Sequence, residues 1–172
     1  MGIKEKYAQR KLQKLAGKLK RTPVLPDLDS AKSIGVIWQP AQKEAFLFLK
    51  NYFKKDQVKF WGFCVFDENT NPQPNTNTIT TDDLNWWGLP KQGKTDDFTN
   101  KNFDLLFNIA LKQSFILEYI TALSNASFKV GGSPHETNHF DLNINIGKKD
   151  DAMYLVKQQI FYLAQLNKTT SK

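Results

Sequence analysis

The feature that most constrains this chain is a strand, a helix and a second strand in direct succession between residues 33 and 66. Ser33-Ile-Gly-Val-Ile-Trp38 is short, apolar and β-branched, as a buried strand is. Gln39-Pro40 interrupts it, and Pro40 suits the first turn of a helix. Residues 41–55 follow, with Ala41, Ala45, Phe48, Leu49, Tyr52 and Phe53 on one broad apolar face. Residues 58–66 are again apolar and aromatic, a second strong strand. That order predicts a parallel βαβ unit.

The rest of the chain extends the same alternation. Residues 67–83 are rich in Asn, Thr, Pro and Asp and read as a long exposed loop; 84–89 suit a short strand. Residues 103–110 are a third clear strand. Ser114 can cap a helix running to about Ser124, with Phe115, Leu117, Ile120 and Leu123 inward. Residues 128–130 form a short strand ended by Gly131-Gly132, and 140–146 alternate like a half-buried strand at a sheet edge. Asp150 or Asp151 can cap a last helix that keeps Met153, Val156, Ile160 and Leu163 on one face to about Leu166. The expectation is one three-layer α/β/α domain, Rossmann-like, with a mostly parallel sheet over residues 33–167. A disordered tail is expected over 168–172.

The net charge of +7 is not spread over this domain. Residues 1–21 carry Lys4, Lys6, Arg10, Lys11, Lys14, Lys18, Lys20 and Arg21 against the single acid Glu5, and the remaining chain is balanced. A neutral domain therefore carries a basic arm. The arm holds good helix formers, and Ala8, Leu12, Leu15, Ala16 and Leu19 recur on one face. Residues 1–21 are expected to be a basic amphipathic N-terminal helix. Pro23 and Pro26 then mark 22–32 as a linker. No apolar stretch follows the charges as in a secretory signal, and none of about 18 residues could span a membrane. The single cysteine, Cys64, excludes an internal disulfide framework.

The basic helical start, Ser-Ile-Gly-Val-Ile-Trp, Phe-Asp-Leu-Leu-Phe-Asn, Lys-Val-Gly-Gly and Phe-Asp-Leu-Asn-Ile together resemble an uncharacterised family of small Bacteroidota proteins. The resemblance covers nearly the whole chain. It implies no activity and supplies no functional residues.

Two local patterns match chemical motifs in the wrong context. Gly88-Leu-Pro-Lys-Gln-Gly93-Lys94-Thr95 fits the phosphate loop, in which backbone N–H groups and the lysine hold phosphates and a helix begins at the lysine. Here Asp96 and Asp97 follow, two acids that would repel phosphate, and no apolar helical period comes after them. His135-Glu136-Thr137-Asn138-His139 fits the zinc motif that needs a helix to bring both imidazoles to one metal. Gly131, Gly132, Ser133 and Pro134 precede it, a strand follows, and no clear third ligand exists. His135 and His139 are thus weak metal candidates, and no cofactor is expected. Cys64 sits inside an apolar strand as a small core residue. Asp67 and Glu68, at a strand end, are candidate acids by fold analogy only. Trp86-Trp87 must face opposite sides if extended, so one of them can mark a contact surface.

The expected function is a non-catalytic binding module. Arg10, Lys11, Lys14, Lys18, Lys20 and Arg21, with Trp86 and Trp87, would meet an acidic partner: RNA, an anionic membrane surface or an acidic protein. The rival is an enzyme using the 135–139 or 88–95 loop. The expected location is cytoplasmic, including the inner membrane face.

Overall fold

The computed structural model describes residues 1–66 and 77–170 of the chain. Six strands form one parallel sheet: β1 (Ser33–Trp38), β2 (Lys59–Val65), β3 (Asn77–Ile79), β4 (Leu105–Asn108), β5 (Phe128–Gly131) and β6 (Leu142–Asn143). Their spatial order is β3-β2-β1-β4-β5-β6. This is the doubly wound order, with the topological switch between β1 and β4. The helices are α1 (Ile3–Ala16), α2 (Lys43–Tyr52), α3 (Asp96–Thr99), α4 (Phe115–Leu123) and α5 (Ala152–Thr170).

β1 is apolar from Ile34 onward because both of its faces are covered. Ile34 and Val36 enter a core shared with Ala45, Leu49 and Phe53 around α2 and with Leu155, Val156 and Leu163 of α5. Ile37 enters the opposite core with Phe98 of α3 and Leu117 and Ile120 of α4. The two cores share β4 in the same way: Leu105 and Phe107 on one side, Leu106 on the other. Gly35 faces Phe103, whose ring would lie 2.8 Å from any added Cβ, so the strand needs a glycine there.

The expected βαβ unit is present, with a 3₁₀ turn at Pro40–Gln42 leading into α2. Ser114 caps α4 by accepting from the Leu117 N–H, and Asp151 accepts from the Tyr154 N–H at the start of α5. Several boundaries differ from expectation. The expected strand over 84–89 is a turn closed by a single antiparallel bridge between Leu84 and Pro90. The edge strand expected over 140–146 shrinks to Leu142–Asn143. Asp141 is taken by Arg21, and the Asn143 amide is taken by both backbone groups of Ser133. α1 stops at Ala16 rather than Arg21, and α5 runs to Thr170, beyond the expected stop at about Leu166. Asn77–Ile79 is a strand where a loop was expected. Asp67, Glu68 and most of the polar loop lie outside the described residues. No helix among the described residues is long and apolar enough to cross a membrane.

Candidate functional site

α1 lies on α4, outside the wound βα units. Ala8 and Leu12 are one turn apart and both fully covered, and Gln9 Nε2 donates to Glu118 Oε2 at 3.3 Å. Leu15, Ala16 and Leu19 of the same stripe are half-buried. With that face committed, Lys6, Arg10 and Lys14, spaced by four, run along the opposite side of the cylinder. Lys11 flanks them, and Lys18 and Lys20 follow the helix. All six are exposed, and none has an ion-pair partner among the described residues.

Arg21 has a different place. Its guanidinium grips both carboxylate oxygens of Asp141, with Nη1 3.0 Å from Oδ1, and its Nε donates to the Ala126 carbonyl at 2.6 Å. The Asp141 carboxylate also accepts from the Lys129 backbone N–H at 2.8 Å. Arg21 thus fastens the segment after α1 to the entrance of β5. Its donors are engaged inside the molecule, while the other five expected contact cations point outward.

Trp86 and Trp87 sit at the tip of the turn between Leu84 and Pro90. The Asn85 carboxamide oxygen accepts from the Trp87 and Leu89 N–H groups, and Gly88 takes φ +77°, which closes the turn. The turn lies against the N-terminal half of α1. Trp87 meets Tyr7 with ring centroids 4.6 Å apart, and Lys4 Nζ stands 3.4 Å from the centroid of Trp86. Trp86 is 76% exposed and Ile3, one turn from Tyr7, 84% exposed. The tryptophans stand out in the sequence as a contact surface, whereas Tyr7, Ile3 and Lys4 beside them do not. The contact joins residues some eighty positions apart, and no local pattern encodes it.

The two motif matches lack the geometry their chemistry needs. In 88–95, Lys94 Nζ binds Asp83 at 2.6 Å and the Gly93 N–H donates to Asp96 Oδ2 at 3.2 Å. Burial would raise the Asp83 carboxyl, but hydrogen bonds from Lys94 and Thr80 hold it below its usual value. The lysine and an amide that would grip phosphate already hold carboxylates, and α3 behind them is a single turn. Residues 135–139 are not helical. The Asn138 amide ties the loop to the carbonyls of His135 and Glu136. No cluster of three metal-ligating side chains exists among the described residues. Burial lowers the pKa of His139, partly opposed by Glu118. Cys64 is buried, and desolvation pushes its thiol up to about 12, far from a nucleophile's range.

At the switch point, where open α/β sheets bind ligands, the end of β4 is closed by its own side chains. The Asn108 amide donates to Gln113 Oε1 at 2.9 Å and Thr121 Oγ1 at 3.1 Å, and Gln113 Nε2 reaches the Gly132 carbonyl. Gln39-Pro40 occupies the place of a glycine-rich dinucleotide turn. A shallow groove beside it, lined by Gln39, Gln42, Lys112, Ser114 and Asp150, encloses about 320 Å³.

Residues 4–166 match the Family of unknown function (DUF6913). The chain belongs to that family. No curated protein and no solved structure matches it. The DUF6913 match opens at Lys4 and therefore takes in α1 from its second residue, the tryptophan turn and the whole sheet. Within this DUF6913 chain the basic helix is an integral element, with Leu12 fully buried.

Proposed function

We propose that this DUF6913 protein is a non-catalytic binding module whose α1 presents a cationic face to an acidic partner. The observation that carries the reading is the stripe Lys6, Arg10 and Lys14, with Lys11, Lys18 and Lys20 beside it, exposed and unpaired on a helix whose other face is fixed to the domain. Like charges at four-residue spacing destabilise an isolated helix. An acidic partner would relieve that repulsion and release counterions. The rest of the chain is charge-balanced, so the attraction is local to α1. RNA, an anionic membrane and an acidic protein all meet this requirement.

The test is the triple variant Lys6→Gln, Arg10→Gln, Lys14→Gln, which removes three exposed charges and no packing contact. Deleting 1–21 is a poorer test, because it would strip Leu12 from α4 and Arg21 from Asp141. The intact chain should be retained on immobilised heparin at low salt and released as salt rises, and the triple variant should elute much earlier. Equal elution of the two would sink the reading.

A further inference from the structure

We infer that the acidic partner is an anionic lipid bilayer, with Trp86 and Ile3 as its apolar anchor; this rests on the cationic reading of α1. On sequence alone a membrane is one of three open partners, weakened because the arm contains no Trp or Phe. The fold supplies what the arm lacks. It brings a second segment, the 84–90 turn, against the first two turns of α1. Tyr7 packs on Trp87, Lys4 stands over Trp86, and Ile3 lies one turn from Tyr7, so four exposed apolar side chains gather at this end of α1. The cluster borders a groove of about 650 Å³ between helix and turn, walled by Lys4, Ala8, Leu84 and both tryptophans.

The order of residues along α1 fits a bilayer surface. Apolar side chains gather at its N-terminal end, and Lys6, Arg10 and Lys14 continue along the outer side over a helix of 14 residues, roughly 21 Å. Trp and Tyr favour the headgroup region, where the ring is buried and its polar edge stays wet. Cations beside them meet lipid phosphates.

RNA would use the same cations and would need open aromatic faces for stacking. Here Lys4 covers one face of Trp86, Tyr7 and Trp87 pack on each other, and the most exposed apolar side chain, Ile3, has no plane to offer a base. A bilayer accepts the aliphatic side chain and the cations together.

The experiment uses the full chain with vesicles of pure phosphatidylcholine and of phosphatidylcholine containing about 30% phosphatidylglycerol. The probes are sedimentation and tryptophan emission, with brominated lipid as quencher. Binding to the anionic vesicles alone, a blue shift, and quenching by bromine are expected. Trp86→Ser should lose most of the quenching and weaken binding about tenfold. The triple charge variant should weaken it by on the order of fivefold per cation removed. Thermal melts of both variants should match that of the native protein, since the altered side chains are exposed. Vesicle binding without bromine quenching, or unchanged in Trp86→Ser, overturns the anchor. Retention on heparin, or binding to poly(U), without vesicle binding overturns the lipid inference and leaves the acidic-partner reading standing. Failure on heparin and vesicles alike overturns both.

Discussion

Arg21 and Asp141 clasp each other across 120 residues of sequence, and this pair anchors the basic segment to the edge of the sheet. The guanidinium is 20% and the carboxylate 11% exposed, so most of their hydration is gone. Truncating one partner strands the other. Arg21→Ala should therefore cost about 2–3 kcal/mol, at the low end for buried pairs because some solvent remains. Asp141→Ala should cost more, since it also frees the Lys129 N–H. Urea denaturation of both single variants and the double variant checks this. Strict additivity would show that the two side chains are not coupled.

Lys129 makes stability depend on pH. It is 3% exposed, and its ammonium donates to the Ala122 carbonyl at 3.1 Å. Burial, reinforced by Arg21, lowers its pKa to about 7. The unfolded chain holds the same proton to about pH 10.4. Between those values the unfolded state binds more protons, so stability should rise with pH above about 7. Cys64 works in the opposite direction above its unfolded pKa of about 8.5, which makes pH 7 to 8.5 the clean window. Lys129→Met should flatten the slope there in urea titrations. Parallel slopes in the two proteins would contradict the assignment.

Gly35→Ala should cost about 1–3 kcal/mol by overpacking the centre of the sheet. The added methyl would meet Phe103 and Leu106, both fully buried with no room to retreat. Coupling it with Phe103→Leu should recover part of the loss in a melting experiment. No recovery would place the strain elsewhere.

The two motif loops should be chemically silent. Magnesium-ATP should leave the melting temperature of the native protein and of Lys94→Ala unmoved. Lys94→Ala itself should cost under about 1 kcal/mol, as exposed ion pairs do. Dialysis against EDTA should likewise leave native protein and His135→Ala alike. A melting shift with ATP, or a zinc equivalent lost in His135→Ala, would reopen the enzymatic reading.

What the sequence made legible was whatever repeats locally. The runs around Ile34, Phe63 and Phe107 declare buried strands, and Ser114 and Asp151 declare helix starts. Asn77–Ile79 and Asp96–Thr99 stay hidden because three or four residues carry no period. The end of α1 is misjudged because Lys18 and Lys20 suit a helix, whereas the chain turns at Gly17 to carry Arg21 toward Asp141. The outward cations were readable as an unpaired excess. The role of Arg21 and the meeting of Tyr7 with Trp87 depend on partners 80 to 120 residues away, which only the tertiary fold supplies.

The seat of α1 on α4 also sets an order of events during synthesis. Gln9 precedes Glu118 by 109 residues. At roughly 5–20 residues per second, α1 leaves the ribosome on the order of 5–20 seconds before its docking helix exists. A 14-residue helix is marginal on its own, so through that interval Leu12 has no core to enter. The newborn segment is then an unseated, strongly cationic peptide with its leucines bare, free to meet an anionic surface before the domain that will hold it has been made.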